Sequence, residues 1–116
     1  MSFRLLAVAV LLGLAGCGPA LDPQLVAQGR EAYVAEGCHA CHGRHQGGTV
    51  MGPDLRKVSR HWKLEELTAY LADPASHRQQ QARLERLSRR YSTQMPPLAT
   101  LPEERRRALA AFLLSR

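Results

Sequence analysis

Cys38, Cys41 and His42 lie within the run Cys38-His39-Ala40-Cys41-His42. Two thiols one helical turn apart aim to the same side of a backbone, where they can add to the two vinyl groups of one porphyrin. The C-x-x-C-H pattern is that of covalent haem attachment, and it sets the adjacent imidazole beneath the ring as an axial ligand to iron. Two other chemistries share part of the pattern, because a C-x-x-C pair also serves a dithiol redox centre or one half of a zinc site. A dithiol centre calls for a preceding strand in a βαβ unit, and no β pattern lies upstream. A zinc site calls for a second Cys/His pair, and no further cysteine follows Cys41.

A second chemical centre stands near the C-terminal end, in Tyr91-Ser92-Thr93-Gln94-Met95-Pro96-Pro97-Leu98. A thioether is a weak donor that leaves iron easily when its backbone is loose. Proline after Met95 restricts the methionine to extended conformations, and a second proline stiffens the strap further. Between the two centres, Met51-Gly52-Pro53-Asp54-Leu55 reads as a rigid turn near His42. The Pro53 carbonyl can accept the Nδ1 proton of the imidazole and fix its tautomer, although a plain turn accounts for the same composition. Trp62 suits a contact to a haem propionate through its indole N–H, and suits a core position equally. Met51, His45, His61 and His77 are the other side chains able to bind iron. Met51 precedes the turn on the His42 side, and surface or core roles are the default for the histidines.

These residues need helices to carry them. Asp22 and Pro23 form an N-cap and first helical residue, followed by Leu25, Val26, Gly29, Ala32 and Tyr33 at helical spacing, with Gly37 as the stop. Gly29 within the apolar stripe points to close approach by another backbone. Leu64, Leu67 and Leu71 mark a helix ended by Asp73-Pro74, and Ser76 to Tyr91 reads as one further helix with a basic outer surface and a Glu85/Arg89 pair. Thr100-Leu101-Pro102-Glu103 offers a capping box before a last helix with Ala108, Leu109, Phe112 and Leu113 on its apolar face.

The first residues are set apart from this fold. Arg4, the apolar stretch Leu5 to Leu14, and Leu14-Ala15-Gly16-Cys17 resemble a lipoprotein signal peptide and its lipobox. Residues 1–16 are then removed, 17–22 are the lipidated N-terminus and tether with Cys17 carrying the lipid, and 23–116 form the domain. An ordinary signal peptide cut near Ala15-Gly16 is the plainer alternative. Two cysteines given to haem and one to lipid leave no odd thiol. What remains is about 100 residues, a core small enough that a large planar hydrophobe would contribute much of its stability. The formal charge of +6 and pI near 9.9 would fit nucleic acid. An export signal and aromatics that do not alternate with the arginines argue against that reading, and favour an acidic partner or anionic lipid head groups.

In order along the chain, Gly29-x-x-x-Tyr33, Cys38-x-x-Cys41-His42-Gly43, Gly52-Pro53-x-Leu55, Met95-Pro96-Pro97-Leu98 and a terminal helix with Phe112 resemble a class I bacterial cytochrome c. The resemblance implies an all-α fold of about four helices around one covalent haem c, its first and last helices crossing where Gly29 and Tyr33 meet the Phe112 face. It also implies His42 and Met95 as axial ligands, and Pro53 as the hydrogen-bond partner of His42. It further implies an electron carrier with redox proteins as partners and no small-molecule substrate, to which the lipobox adds export and a lipid anchor at a membrane. The same pattern is similar to the single-haem subunit of thiosulfate-oxidising complexes. A haem sensor or peroxidase-like protein with a labile sixth ligand is the remaining alternative, and no distal acid/base pair is evident near Met95. Two features depart from the family pattern: the long arginine-rich stretch from Ser76 to Arg90, and Pro102 where a small hydroxyl residue is usual.

Overall fold

The computed structural model describes residues 20–116; the Leu14–Cys17 motif and the start of the tether lie outside them. The described chain forms α1 (Pro23–Ala35), α2 (His39–His42), a 3-10 turn (Val58–Arg60), α3 (Leu64–Ala72), α4 (Pro74–Gln80), α5 (Ala82–Ser88) and α6 (Glu103–Leu114). No strand occurs among the described residues beyond an isolated bridge between Thr49 and Gly52.

Helix α1 starts as its sequence dictates: the Asp22 carboxylate accepts the Gln24 amide at 2.9 Å, and Pro23 takes the first turn, where its missing N–H is not needed. Its end delivers the first cysteine. Gly37 adopts φ 76°, its amide donates to Val34 O, and the Cys38 amide donates to Tyr33 O at 3.0 Å. This is a Schellman closure that satisfies two orphan carbonyls and swings the chain straight into α2.

Helices α1 and α6 cross at Gly29. A Cβ there would overlap the Ala108 carbonyl and lie 2.7 Å from Phe112 Cβ, so only glycine permits this approach. One turn on, the Tyr33 and Phe112 rings meet edge to face at 5.6 Å. Helix α6 buries every residue from Ala108 to Leu113 against α1 and α3, each large apolar side chain contributing about 1.5–3 kcal/mol. Leu67 and Leu71 of α3 and Leu84 of α5 complete the core.

Two expectations are corrected here. The stretch from Ser76 to Tyr91 is not one helix: Gln81 is extended (φ −128°, ψ 109°), dividing α4 from α5 and re-aiming α5 so that Leu84 is buried. With the short α2, this raises the helix count from about four to six among the described residues. Thr100 is also not the cap of α6, whose N-cap is Pro102 with no side-chain bond. The residue before a proline is pushed out of the helical region, so Leu101 cannot begin the helix. Instead its amide closes a turn onto Leu98 O at 3.1 Å.

Candidate cofactor site

A cavity of about 680 Å³ opens between the end of α1, α2, α3, α5 and the Met95 strap, a size typical of cofactor pockets. Cys38, Cys41, His42, Trp62 and Met95 all line it. The chain thus brings together in one place five of the residues that its sequence singled out.

His42 is the most firmly placed. Its Nδ1 lies 3.0 Å from Pro53 O; a carbonyl only accepts, so Nδ1 carries the proton and Nε2 remains for a metal. Burial holds the imidazole below its usual range, with the Pro53 bond opposing, so the ring is neutral at pH 7. The surrounding loop is fixed bond by bond. Tyr33 Oη donates to Gly43 O at 2.7 Å, the Gly48 amide donates to His42 O at 2.8 Å, and Thr49 Oγ1 donates to Cys41 O at 2.6 Å. A Cβ at Gly52 would stand 3.0 Å from Cys41 O and 3.2 Å from His42 Nδ1, so glycine at 52 lets the Pro53 carbonyl reach the ring. Just beyond, Asp54 and Arg56 form a bidentate pair whose closest approach is 2.6 Å, and the guanidinium holds the Asp54 carboxyl down at about 2.

Two contributors escape a sequence reading. Gln46 is 4% exposed and has φ 61°, and its carbonyl accepts the Leu55 amide at 2.8 Å, tying the two arms of the loop together. Glycine or asparagine would have signalled that left-handed conformation; glutamine in a polar loop does not. The hydroxyl of Tyr33 was also unmarked, since at helical spacing the residue reads only as bulk.

Cys38 and Cys41 are free and half-buried. Burial pushes the Cys38 thiol up to about 11, the reverse of the activated thiolate that a dithiol redox centre requires. Nor does any group of three or more His, Cys, Asp or Glu among the described residues suit a metal ion, which leaves the zinc alternative without a second pair there.

Trp62 is 9% exposed. It packs on Tyr70 at 4.9 Å between centroids, with the Arg83 guanidinium 5.6 Å from its ring. Met95 is half-buried and packs against the apolar core. Of the other candidate iron ligands, Met51 and His61 line the cavity from exposed positions, whereas His45 and His77 do not line it. His77 meets Tyr70 edge to face at 5.6 Å, and its Nδ1 lies 2.9 Å from Asp73 O.

The sequence model of the family described as Cytochrome c matches residues 26–116. The chain belongs to the cytochrome c family. No curated protein and no solved structure matches it. It is a class I c-type cytochrome, a haem-binding electron-transfer protein that carries haem c covalently. The residues of this cytochrome fit that group: an apolar cavity holds two unpaired thiols, a neutral imidazole with one free nitrogen, and a thioether.

Proposed function

We propose that this cytochrome is a membrane-anchored single-haem electron carrier. In it Cys38 and Cys41 would hold haem c through their sulfurs, His42 Nε2 and Met95 Sδ would be the protein's donors to its iron, and Pro53 orients His42. Haem iron supplies the one-electron chemistry when bound. Everything else is the work of the chain. Pro53 holds the imidazole in one tautomer and strengthens it as a donor. A thioether donor such as Met95 would favour the ferrous state and so a high potential. With His42 and Met95 both given to the iron, the chain would leave no position for a substrate, and the bonded loop around His42 restrains the imidazole. Trp62, with the Arg83 guanidinium over its ring, would contact a propionate. The observation that carries this reading is His42 Nδ1 at 3.0 Å from Pro53 O in the cavity that Met95 also lines.

Cys17, at the end of Leu14-Ala15-Gly16-Cys17, carries the lipid, and the short tether Gly18-Pro19-Ala20-Leu21 keeps the domain near a membrane on the exported side. No helix among the described residues is long and apolar enough to cross a membrane. The partners are redox proteins with acidic docking surfaces, which complement the net positive charge.

Acid acetone applied to the purified protein tests the attachment: the pigment stays with the polypeptide, and extraction of the pigment would refute the two thioethers. Mass spectrometry of the N-terminal peptide tests the anchor, and an unmodified Cys17 would remove it. Co-purification from native membranes separates a freestanding carrier from a subunit of a larger oxidoreductase such as a thiosulfate-oxidising complex.

A further inference from the structure

Among the described residues, four have a left-handed backbone: Gly37, Gly43, Gly48 and Gln46, the last at φ 61°. Glycine takes that conformation readily, whereas the Cβ of a glutamine crowds the following carbonyl. The backbone bonds made there, Gln46 N to Gly43 O at 3.2 Å and Leu55 N to Gln46 O at 2.8 Å, use only atoms that glycine also has. What glutamine adds is its side chain, and that side chain is engaged. The residue is 4% exposed although Arg44, His45 and Gly47 around it are exposed. Its Nε2 donates to Arg44 O at 3.2 Å. The same side chain acts on Tyr33: burial above all, with the Cys38 thiol beside it, raises the phenol, and a hydrogen bond from Gln46 opposes the rise. Tyr33 Oη in turn donates to Gly43 O at 2.7 Å, the carbonyl next after His42.

We infer that Gln46 is a positioning residue for His42: its side chain steadies Tyr33 on Gly43 O while its carbonyl holds Leu55, so that the segment carrying the imidazole and the segment carrying Pro53 O keep one separation. The inference rests on reading His42 as a donor to haem iron, and adds a residue that does not itself line the cavity and acts through Tyr33, Gly43 and Leu55. The links are short. Gly43 directly follows His42, Leu55 lies two residues beyond Pro53, and the bond being held is that between His42 Nδ1 and Pro53 O at 3.0 Å. Such a bond weakens steeply as its angle departs from ideal, and its strength sets how basic the imidazole is toward a metal. A less basic imidazole favours the ferrous state, so loss of the Gln46 side chain should raise the potential. A side chain that only fills space would act otherwise, contributing to stability and leaving the His42 proton as well held as before.

The test uses the haem-loaded full chain, unmodified and as Gln46→Gly, Gln46→Met, Tyr33→Phe and the Gln46→Gly/Tyr33→Phe double variant. Gln46→Gly removes the side chain and the backbone strain together, whereas Gln46→Met keeps the length and the strain and removes only the amide. Exchange of the His42 Nδ1 proton for deuterium is followed by NMR on the ferrous protein, beside potentiometric titration and urea unfolding. Gln46→Gly should exchange that proton about tenfold or more faster and show a higher potential, with an unfolding midpoint no lower than that of the unmodified protein, because relief of strain offsets the lost contacts. Gln46→Met should show the same exchange and potential with a lower midpoint. In the Tyr33→Phe background, Gln46→Gly should change the exchange rate by less than about twofold, since the two residues act along one path. Unchanged exchange and potential in Gln46→Gly would overturn the inference, and so would effects of Gln46→Gly and Tyr33→Phe on exchange that simply multiply. The charge-transfer band of methionine-bound ferric iron, recorded on the same samples, reports the ligation separately: its absence from the unmodified protein would refute the carrier reading, while the exchange comparison would still decide the role of Gln46.

Discussion

His42 and Met95 face one cavity but are held there by different means. Around His42 the chain is cross-braced: Pro53 O accepts from its ring, the Gly48 amide donates to its carbonyl, Thr49 caps Cys41 O, and Gln46 joins the far arm of the loop through Leu55. Around Met95 the bracing is sparse. None of the backbone hydrogen bonds found among the described residues comes from an amide between 92 and 97; Gln94 Nε2 reaches Ser88 O at 3.1 Å and Tyr91 O at 3.2 Å, and the Leu98 amide donates to Leu71 O at 2.9 Å. The strap relies on Pro96 and Pro97 for its shape, which lowers the entropy of the free strap rather than adding contacts. One side is therefore rigid by bonding and the other by covalent restriction, and the thioether side is the one that should yield first when the protein is stressed.

The largest effect expected from this contrast is on potential. Met95→Ala should leave the haem attached through Cys38 and Cys41 yet lower the midpoint potential by on the order of 0.2 V, within the roughly 0.8 V commanded by axial ligation; potentiometric titration measures it. On the opposite side, Gly52→Ala forces a methyl group against Cys41 O and His42 Nδ1. It should cost about 1–3 kcal/mol in urea unfolding and shift the potential as well, because the Pro53 bond is lost; a drop in stability with no change in potential would show that the bond does not tune His42.

Tyr33→Phe probes the bracing through pH. Burial raises the Tyr33 phenol to about 12, whereas an unfolded tyrosine titrates near ~10. The folded form prefers the neutral phenol, so this contribution to stability is complete below about pH 10 and is lost as pH rises towards about 12. Unfolding midpoints of the unmodified protein should fall across that window, and those of Tyr33→Phe should fall less, from a starting value lower by about 0.5–1.5 kcal/mol for the lost bond to Gly43 O. The smallest effect is on the strap: Pro96→Ala should weaken thioether binding by about 0.4–1 kcal/mol, visible as a severalfold increase in the affinity of ferric iron for added imidazole, with the global unfolding midpoint nearly unchanged.

The same contrast explains how much could be read from the chain. Elements set by local chemistry were legible: Asp22-Pro23 starts α1, Gly37 ends it, and Gly29 marks the helix crossing, because each depends on neighbours within a turn or on the absence of a side chain. That Cys38, Cys41 and His42 meet at one cavity was legible because they fall within five consecutive residues. Features imposed by packing were not. No glycine or proline announces the break at Gln81, which serves to bury Leu84. Thr100 and Glu103 have the types and spacing of a cap but are defeated by Pro102. Gln46 holds a left-handed backbone against its own preference because the loop around His42 is bonded on both sides.

Carbon monoxide binding tests the central assignment most directly, because it asks whether the sixth position belongs to the chain. The ferrous unmodified protein at neutral pH should show no change in its absorption spectrum when CO is added, and Met95→Ala should bind CO promptly. Rapid binding by the unmodified protein, or a Met95→Ala variant that still refuses CO, would contradict Met95 as the second axial ligand.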